Sequence, residues 1–292
     1  MNAQHKLEVL VIGSTGRQGG AVARKLLAHG HRVRAFTRRP HSPGAEALAA
    51  LGADITTGDL ADEACLEGAA ANADAIFCVT NWREGGPDLE VKHGRAVADA
   101  AKNMGAAQLV FSSVASANRR TGIPHFESKF KVEEYIAELG IPATIIGPVS
   151  FMENFLLPAS LTALREGRLV RSLPAARARQ IVAVEDIGAF AVALMEQRDD
   201  VIGDRFDIAG DEITGEQEVD ILSRVIGRKV RGESIPLEKQ RAQDAEAAIM
   251  NEWIDRVGYS ADIRDLALEF PEVGWHTFEA WARGRDWATL LG

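Results

Sequence analysis

Gly13, Gly16 and Gly19 lie in the run Val11-Ile12-Gly13-Ser14-Thr15-Gly16-Arg17-Gln18-Gly19-Gly20, with the spacing of a turn that can wrap phosphate. The chain must turn sharply at Gly13. A side chain at Gly16 would stand where a pyrophosphate has to lie, and one at Gly19 would hold the following helix away from the strand. Phosphate oxygens placed there meet backbone N–H groups and the positive end of a helix. Three glycines are also what an ordinary βα turn contains, so the flanking elements carry the argument. Residues 7–12 form a β-branched apolar run that reads as a buried strand. Residues 17–29 repeat Val22, Leu26 and Leu27 on one helical face, and Gly30 is a good stop. Strand, glycine turn and helix in that order are the setting a dinucleotide requires.

The end of the next strand discriminates between dinucleotides. It reads Phe36-Thr37-Arg38-Arg39-Pro40 and contains no acid. An Asp or Glu there would accept from the ribose 2′-OH of NAD(H). Two guanidinium groups suit a 2′-phosphate through their forked donors. NADP(H) is therefore the expected cofactor and NAD(H) the less favoured one. Arg17 is a further candidate phosphate contact. The plain alternative is that Arg38 and Arg39 are a solvated pair on a loop.

The elements that must position these residues alternate regularly. Strands are expected at 32–37, 54–57, 75–80, 109–113 and 143–146, and helices at 45–51, 64–70, 89–104 and 126–139. That alternation implies parallel strands joined by right-handed crossovers, an α/β fold with a doubly wound parallel Rossmann sheet. The pattern weakens after about residue 150. Helices at 155–166, 185–196, 216–226 and 237–256 and strands at 180–184 and 205–208 suggest a smaller mixed C-terminal lobe. The expected domains are 1–153, with 180–210 returning to it, and a lobe of 154–179 and 211–292 for a substrate or partner. Four of the five tryptophans fall late in the chain and are expected in the core of that lobe. Glu185 or Asp186 is expected to cap the helix that begins there.

Composition bounds the rest. The 292 residues are 46% hydrophobic and 26% charged, with a net charge of -9, an ordinary globular balance. Excess acid argues against a nucleic-acid surface, which needs clustered Lys and Arg. Cys65 and Cys78 lack metal-ligand spacing, so no metal site is expected and a reducing cytoplasm fits. No apolar run reaches the ~18 residues of a membrane helix. The first residues are too short and polar for a signal peptide.

The glycine turn, Thr37-Arg38-Arg39-Pro40, Gly58-Asp59, Val79-Thr80-Asn81-Trp82, His125-Phe126-Glu127-Ser128-Lys129 and Val132-Glu133-Glu134-Tyr135 together resemble the NmrA-like family. This is an atypical branch of the short-chain dehydrogenase/reductases, and the likeness is nearest to its HSCARG-type NADPH sensors. The resemblance implies that Gly13, Ser14, Thr15, Gly16, Arg17 and Gln18 wrap the pyrophosphate and that Arg38 holds the 2′-phosphate. It implies that Asp59 and Leu60 flank the adenine, and that Thr80, Asn81 and Trp82 line the nicotinamide-side ribose. Lys92 and Lys129 would contact the cofactor, and the segment from Phe151 to Asn154 would close over the nicotinamide.

Typical members of that superfamily use a Tyr-x-x-x-Lys pair with an upstream serine. Lysine lowers the tyrosine pKa so that the phenol can pass a proton as hydride moves. Here Lys129 is present, but the position four residues earlier is His125. The two tyrosines, Tyr135 and Tyr259, are not at the needed spacing, while Ser112 and Ser113 are candidate upstream hydroxyls. Two readings stay open. One is a dinucleotide-responsive regulator with weak or no dehydrogenase activity, acting through a protein partner or a homodimer; the missing tyrosine favours it. The other is an NADPH-dependent reductase of a quinone or another small carbonyl or enone, with Lys129 or His125 as proton donor.

Overall fold

The computed structural model describes residues 6–292, and Met1–His5 lie outside the described residues. In chain order the elements are β1 (Glu8–Ile12), α1 (Arg17–Ala28), β2 (Arg32–Thr37), α2 (Pro43–Ala50), β3 (Asp54–Thr57), α3 (Glu63–Ala70), β4 (Ala75–Val79), α4 (Gly86–Met104), β5 (Gln108–Ser112), α5 (Pro124–Leu139) and β6 (Ala143–Pro148). There follow β7 (Ser150–Phe151), α6 (Pro158–Arg165), β8 (Arg168–Arg171), β9 (Arg179–Val182), α7 (Val184–Glu196), α8 (Arg198–Val201), β10 (Arg205–Ile208), β11 (Asp211–Ile213), α9 (Gly215–Ile226) and β12 (Arg231–Ser234). The last are α10 (Leu237–Gln243), α11 (Ala245–Arg256), α12 (Ile263–Glu269), α13 (Phe278–Arg283) and α14 (Trp287–Leu291).

The chain divides into two compact units, Met1–Gly147 with Ile187–Phe206, and Pro148–Asp186 with Asp207–Gly292. The first boundary falls before the expected residue 153, and the returning segment is shorter than 180–210. The main sheet has seven strands in the order β10-β6-β5-β4-β1-β2-β3. Every pairing from β6 through to β3 is parallel, as the crossovers demand. Residues 205–208 are the seventh strand, at the β6 edge.

One face of that sheet buries Leu10, Ile12, Ile76, Leu109 and Phe111 with Leu66 of α3 and Val97 of α4. Strands covered on both faces read as continuous apolar runs rather than alternating ones, as the centres of β1, β4 and β5 do. Helices α4 and α5 meet at Gly94, where a Cβ would stand 2.6 Å from a Val132 methyl. α7 meets α1 at Gly188, where a Cβ would lie 2.8 Å from the Ala21 backbone.

The second unit differs more from expectation. Residues 179–182 do not extend the main sheet: β9 pairs in parallel with β7 and antiparallel with β11, in a separate three-stranded sheet. β8 and β12 form a parallel pair. The helix expected over 237–256 is two helices, because Asp244 is extended (φ -151, ψ 94) and its side chain caps α11 at Ala247 N. The helix expected over 155–166 starts only at Pro158, after a 3-10 turn over Met152–Leu156. Asp186 does not cap α7. Its carboxylate is buried and accepts from His276 N (2.9 Å), while Glu153 accepts from Val184 N (3.0 Å). Trp253, Trp281 and Trp287 are buried, whereas Trp275 is half-buried.

Candidate functional site

The register of the main sheet brings the candidate residues to one edge. Ile12 stands opposite Phe36 and Cys78, Thr37 opposite Thr57, and Val79 opposite Ser112. Gly13, Arg38, Gly58, Thr80 and Ser113 therefore each follow the carboxyl end of a strand by one residue. In open α/β sheets that edge is where ligands bind.

The three glycines of the turn have three different physical reasons. Gly13 adopts φ +77, and a Cβ there would stand 2.7 Å from a Val79 methyl and 2.9 Å from the Val79 carbonyl oxygen. At Gly19 a Cβ would overlap the Gly13 carbonyl, so Gly19 closes the turn on itself. Gly16 is conformationally ordinary (φ -86), and its Cβ would meet only the Gly13 oxygen, at 3.2 Å. The fold tolerates a methyl at Gly16 more readily than at Gly13 or Gly19, so the open space beside it suits a ligand. Consistent with this, α1 has no side-chain cap and no acid in its first turn, whereas Ser42 and Asp62 cap α2 and α3. An N-terminus left without a carboxylate or hydroxyl is ready for an anion. Ser14 contributes differently: its buried hydroxyl donates to the Phe36 carbonyl (2.9 Å) and ties the turn to β2. Gln18 accepts from Ser112 Oγ (2.7 Å), linking the turn to β5.

Arg38, exposed just past β2, makes an ion pair with Glu84. Glu84 ends a 3-10 turn, Trp82–Glu84, that follows β4. Since β1 lies between β2 and β4, the pair joins the segments on either side of the strand that carries the glycine turn. His93 lies close to Asp59, Arg38, Glu84 and Lys92. Burial pushes its pKa below the ordinary 6.5, opposed by the Asp59 carboxylate. Asp59 is exposed and accepts from Ala61 N (2.9 Å), Leu60 packs against the core, and Lys92 is exposed on α4.

Beyond β4 a buried polar network surrounds Lys129. Its Nζ lies 3.0 Å from the Thr80 carbonyl oxygen, 2.9 Å from Thr80 Oγ1, 3.3 Å from the Ser112 carbonyl oxygen and 3.1 Å from Glu90 Oε1. Thr80 Oγ1 donates to Glu90 Oε1 (3.1 Å), and Ser128 Oγ donates to Glu90 Oε2. Sequence reasoning missed Glu90 and Glu84. Glu90 had a legible signal: it shares the helical stripe of Gly94, Val97, Ala98 and Ala101, which is otherwise apolar. Glu84 had none, because only the strand order brings it to Arg38.

Asn81 caps the 3-10 turn through Arg83 N (3.1 Å), and Trp82 stacks on His125 with centroids 5.1 Å apart and planes at 15°. The serines at the end of β5 are engaged: Ser112 donates to Gln18, and Ser113 to Glu133, which pairs with Arg205. Neither tyrosine is activated. The Tyr135 hydroxyl donates to Asp99 (2.7 Å), and that bond, with some burial, raises its pKa. Burial raises that of Tyr259. Phe151 ends β7 and Asn154 lies in the 3-10 turn of the second unit, where its carbonyl accepts from Ser160 Oγ (2.9 Å).

Among the described residues one group has metal-ligand spacing, His29, His31 and Glu196. Glu196 Oε1 lies 3.0 Å from His29 Nδ1 and 3.0 Å from His31 Nε2. Leu7 N donates to His31 Nδ1 at 3.2 Å, which in the neutral ring places the proton on Nε2. That Nε2–H has no lone pair for a metal. The group is a hydrogen-bonded brace between the ends of α1 and α7.

Comparison with known proteins gives the family and the fold. An NmrA-like oxidoreductase, FrzB of Cladobotryum sp, is 35% identical over 160 residues, covering 51% of this chain and 48% of that protein, so the chain spans about half of its length. Two solved structures share the fold. NmrA, a negative transcriptional regulator in complex with NADP, superimposes with a TM-score of 0.80 at 22% identity, covering 98% of this chain and 100% of that one. The NADPH-dependent quinone oxidoreductase of Escherichia coli complexed with NADPH gives 0.79 at 21% identity, covering 94% and 98%. A model of the NmrA-like family matches residues 5–282, and the chain belongs to that family.

Proposed function

We propose that this protein binds NADP(H) in its first unit and acts in the cytoplasm as a dinucleotide-responsive regulator with little or no dehydrogenase turnover. The Gly13–Gly16 turn and the start of α1 would receive the pyrophosphate, with Arg17 beside it, and Arg38 the 2′-phosphate. Asp59 and Leu60 would flank the adenine, with Lys92 nearby. Thr80, Asn81 and Trp82 would line the nicotinamide-side ribose. The cofactor supplies the hydride chemistry; the chain would have to supply the proton.

The state of Lys129 carries the regulator reading. An ammonium has three protons, and four protein oxygens already lie within 3.3 Å of this one. Glu90 compensates its charge inside the fold. A lysine held in this way positions the Thr80 and Ser112 strand ends and is poorly placed to pass a proton to a substrate. The NADP complex of the NmrA regulator, which shares the fold, supports this reading. The partner would be a protein or a second copy of the chain, since a net charge of -9 suits no nucleic acid.

A second reading, an NADPH-dependent reductase of a quinone or similar small carbonyl compound, draws on His125. It is half-buried against Trp82, at the position four residues before Lys129. The test is NADPH oxidation with a panel of quinones and aldehydes. Slow or absent turnover is expected. Rapid turnover abolished by His125→Ala or Lys129→Ala would overturn the regulator reading in favour of the reductase.

A further inference from the structure

Resting on the reading of Arg38 as the 2′-phosphate ligand, we propose that Glu84 is a built-in competitor for that phosphate. NADP(H), and not NAD(H), displaces it from Arg38 and so frees the Trp82–Glu84 turn. Glu84 thereby sets the preference between the two dinucleotides and reports which one is bound.

The pair has the properties that exchange requires. The Arg38 and Glu84 side chains are 56% and 48% exposed, so water screens their attraction and the contact is weakly held. A phosphate monoester carries up to two negative charges and matches the guanidinium fork better than a single carboxylate does. Once a phosphate occupies Arg38, the Glu84 carboxylate beside it is repelled. A 2′-hydroxyl brings neither the charge nor the repulsion, and the ion pair persists.

Displacement has somewhere to go. Glu84 belongs to a turn of three residues that Asn81 caps, in which Trp82 stacks on His125 and the Arg83 guanidinium lies over the Trp82 ring. Movement at Glu84 is therefore movement at Trp82. The turn follows directly on Thr80, whose carbonyl and hydroxyl hold Lys129. The 2′-phosphate end of the ligand is thus joined to the nicotinamide-side residues by five consecutive residues of chain, Thr80 to Glu84.

Adenosine 2′,5′-bisphosphate and adenosine 5′-monophosphate test the proposal without a nicotinamide. Affinities come from calorimetry. Trp82 emission is read as the difference between the full chain and its Trp82→Phe variant, the other four tryptophans lying between residues 253 and 287. Glu84→Gln should tighten the bisphosphate about threefold or more and leave the monophosphate unchanged, and the gain should vanish in the Arg38→Ala background. Trp82 emission should change with the bisphosphate alone. If Arg38→Ala weakens the bisphosphate but Glu84→Gln does not tighten it, the competitor role is wrong and the Arg38 assignment stands. Equal emission changes with both ligands would likewise overturn the proposal. If Arg38→Ala leaves bisphosphate affinity unchanged, the assignment of Arg38 itself fails.

Discussion

Glu90 Oε1 lies 3.1 Å from Lys129 Nζ, and the two side chains are 0% and 8% exposed. Two opposite charges are thus held inside the first unit, with Thr80, Ser128 and the Ser112 carbonyl supplying further hydrogen bonds. Such a pair contributes little net stability over apolar residues of the same size, because desolvation offsets the attraction. Its effect is to fix one arrangement of α4, α5 and the ends of β4 and β5.

Removing one partner leaves the other charge buried and alone. Glu90→Ala is expected to cost about 3–5 kcal/mol. The double variant Glu90→Leu with Lys129→Met should recover most of that loss, since it leaves no unpaired charge. Urea unfolding of the three proteins checks both expectations. A Glu90→Ala variant as stable as the parent would mean that the ammonium finds other compensation.

The glycine turn separates folding from binding. Gly19→Ala forces a methyl into the Gly13 carbonyl, and a loss of about 1–3 kcal/mol is expected from overpacking. Gly16→Ala meets only one oxygen at 3.2 Å and should cost about 0.5 kcal/mol as a poorer helix N-cap. Its methyl fills the space proposed for the pyrophosphate, so NADPH affinity should fall by about tenfold or more, roughly 1.4 kcal/mol. Thermal unfolding and calorimetry on the same preparations distinguish the two effects. Unchanged NADPH affinity in Gly16→Ala would remove the pyrophosphate from this turn.

Much of this site was legible because its positions follow from strand ends. Buried parallel strands are apolar runs, and β2, β3 and β10 were expected at the residues they occupy. The carboxyl ends of β1, β2 and β4 place Gly13, Arg38 and Thr80. The second unit was not legible in the same way. β7 has two residues and β11 three, too few for any periodicity to show. The break at Asp244 is a capping event inside a stretch that reads as one helix. The Arg38–Glu84 pair joins residues 46 apart, and it depends on β2 and β4 both flanking β1. Local pattern cannot contain that relation, whereas Glu90 on the buried stripe of α4 was open to recognition as a charge in need of a partner.

His93 is expected to make the first unit sensitive to acid. Burial holds its pKa below 6.5, so near and below that pH the unfolded chain binds a proton more readily than the folded one. The free energy of unfolding then decreases as pH falls through 6.5 toward the lower folded value, and it stops responding to this group below that value. Replacing His93 by Gln should flatten this part of the profile while leaving stability at pH 8 nearly unchanged. Melting temperatures from pH 8 to pH 5 read the difference directly. Bound NADP(H) should reduce the same dependence, because a phosphate beside Arg38 and Lys92 favours the charged imidazole. A wild-type profile that parallels the His93→Gln profile at every pH would show that this histidine does not carry the effect.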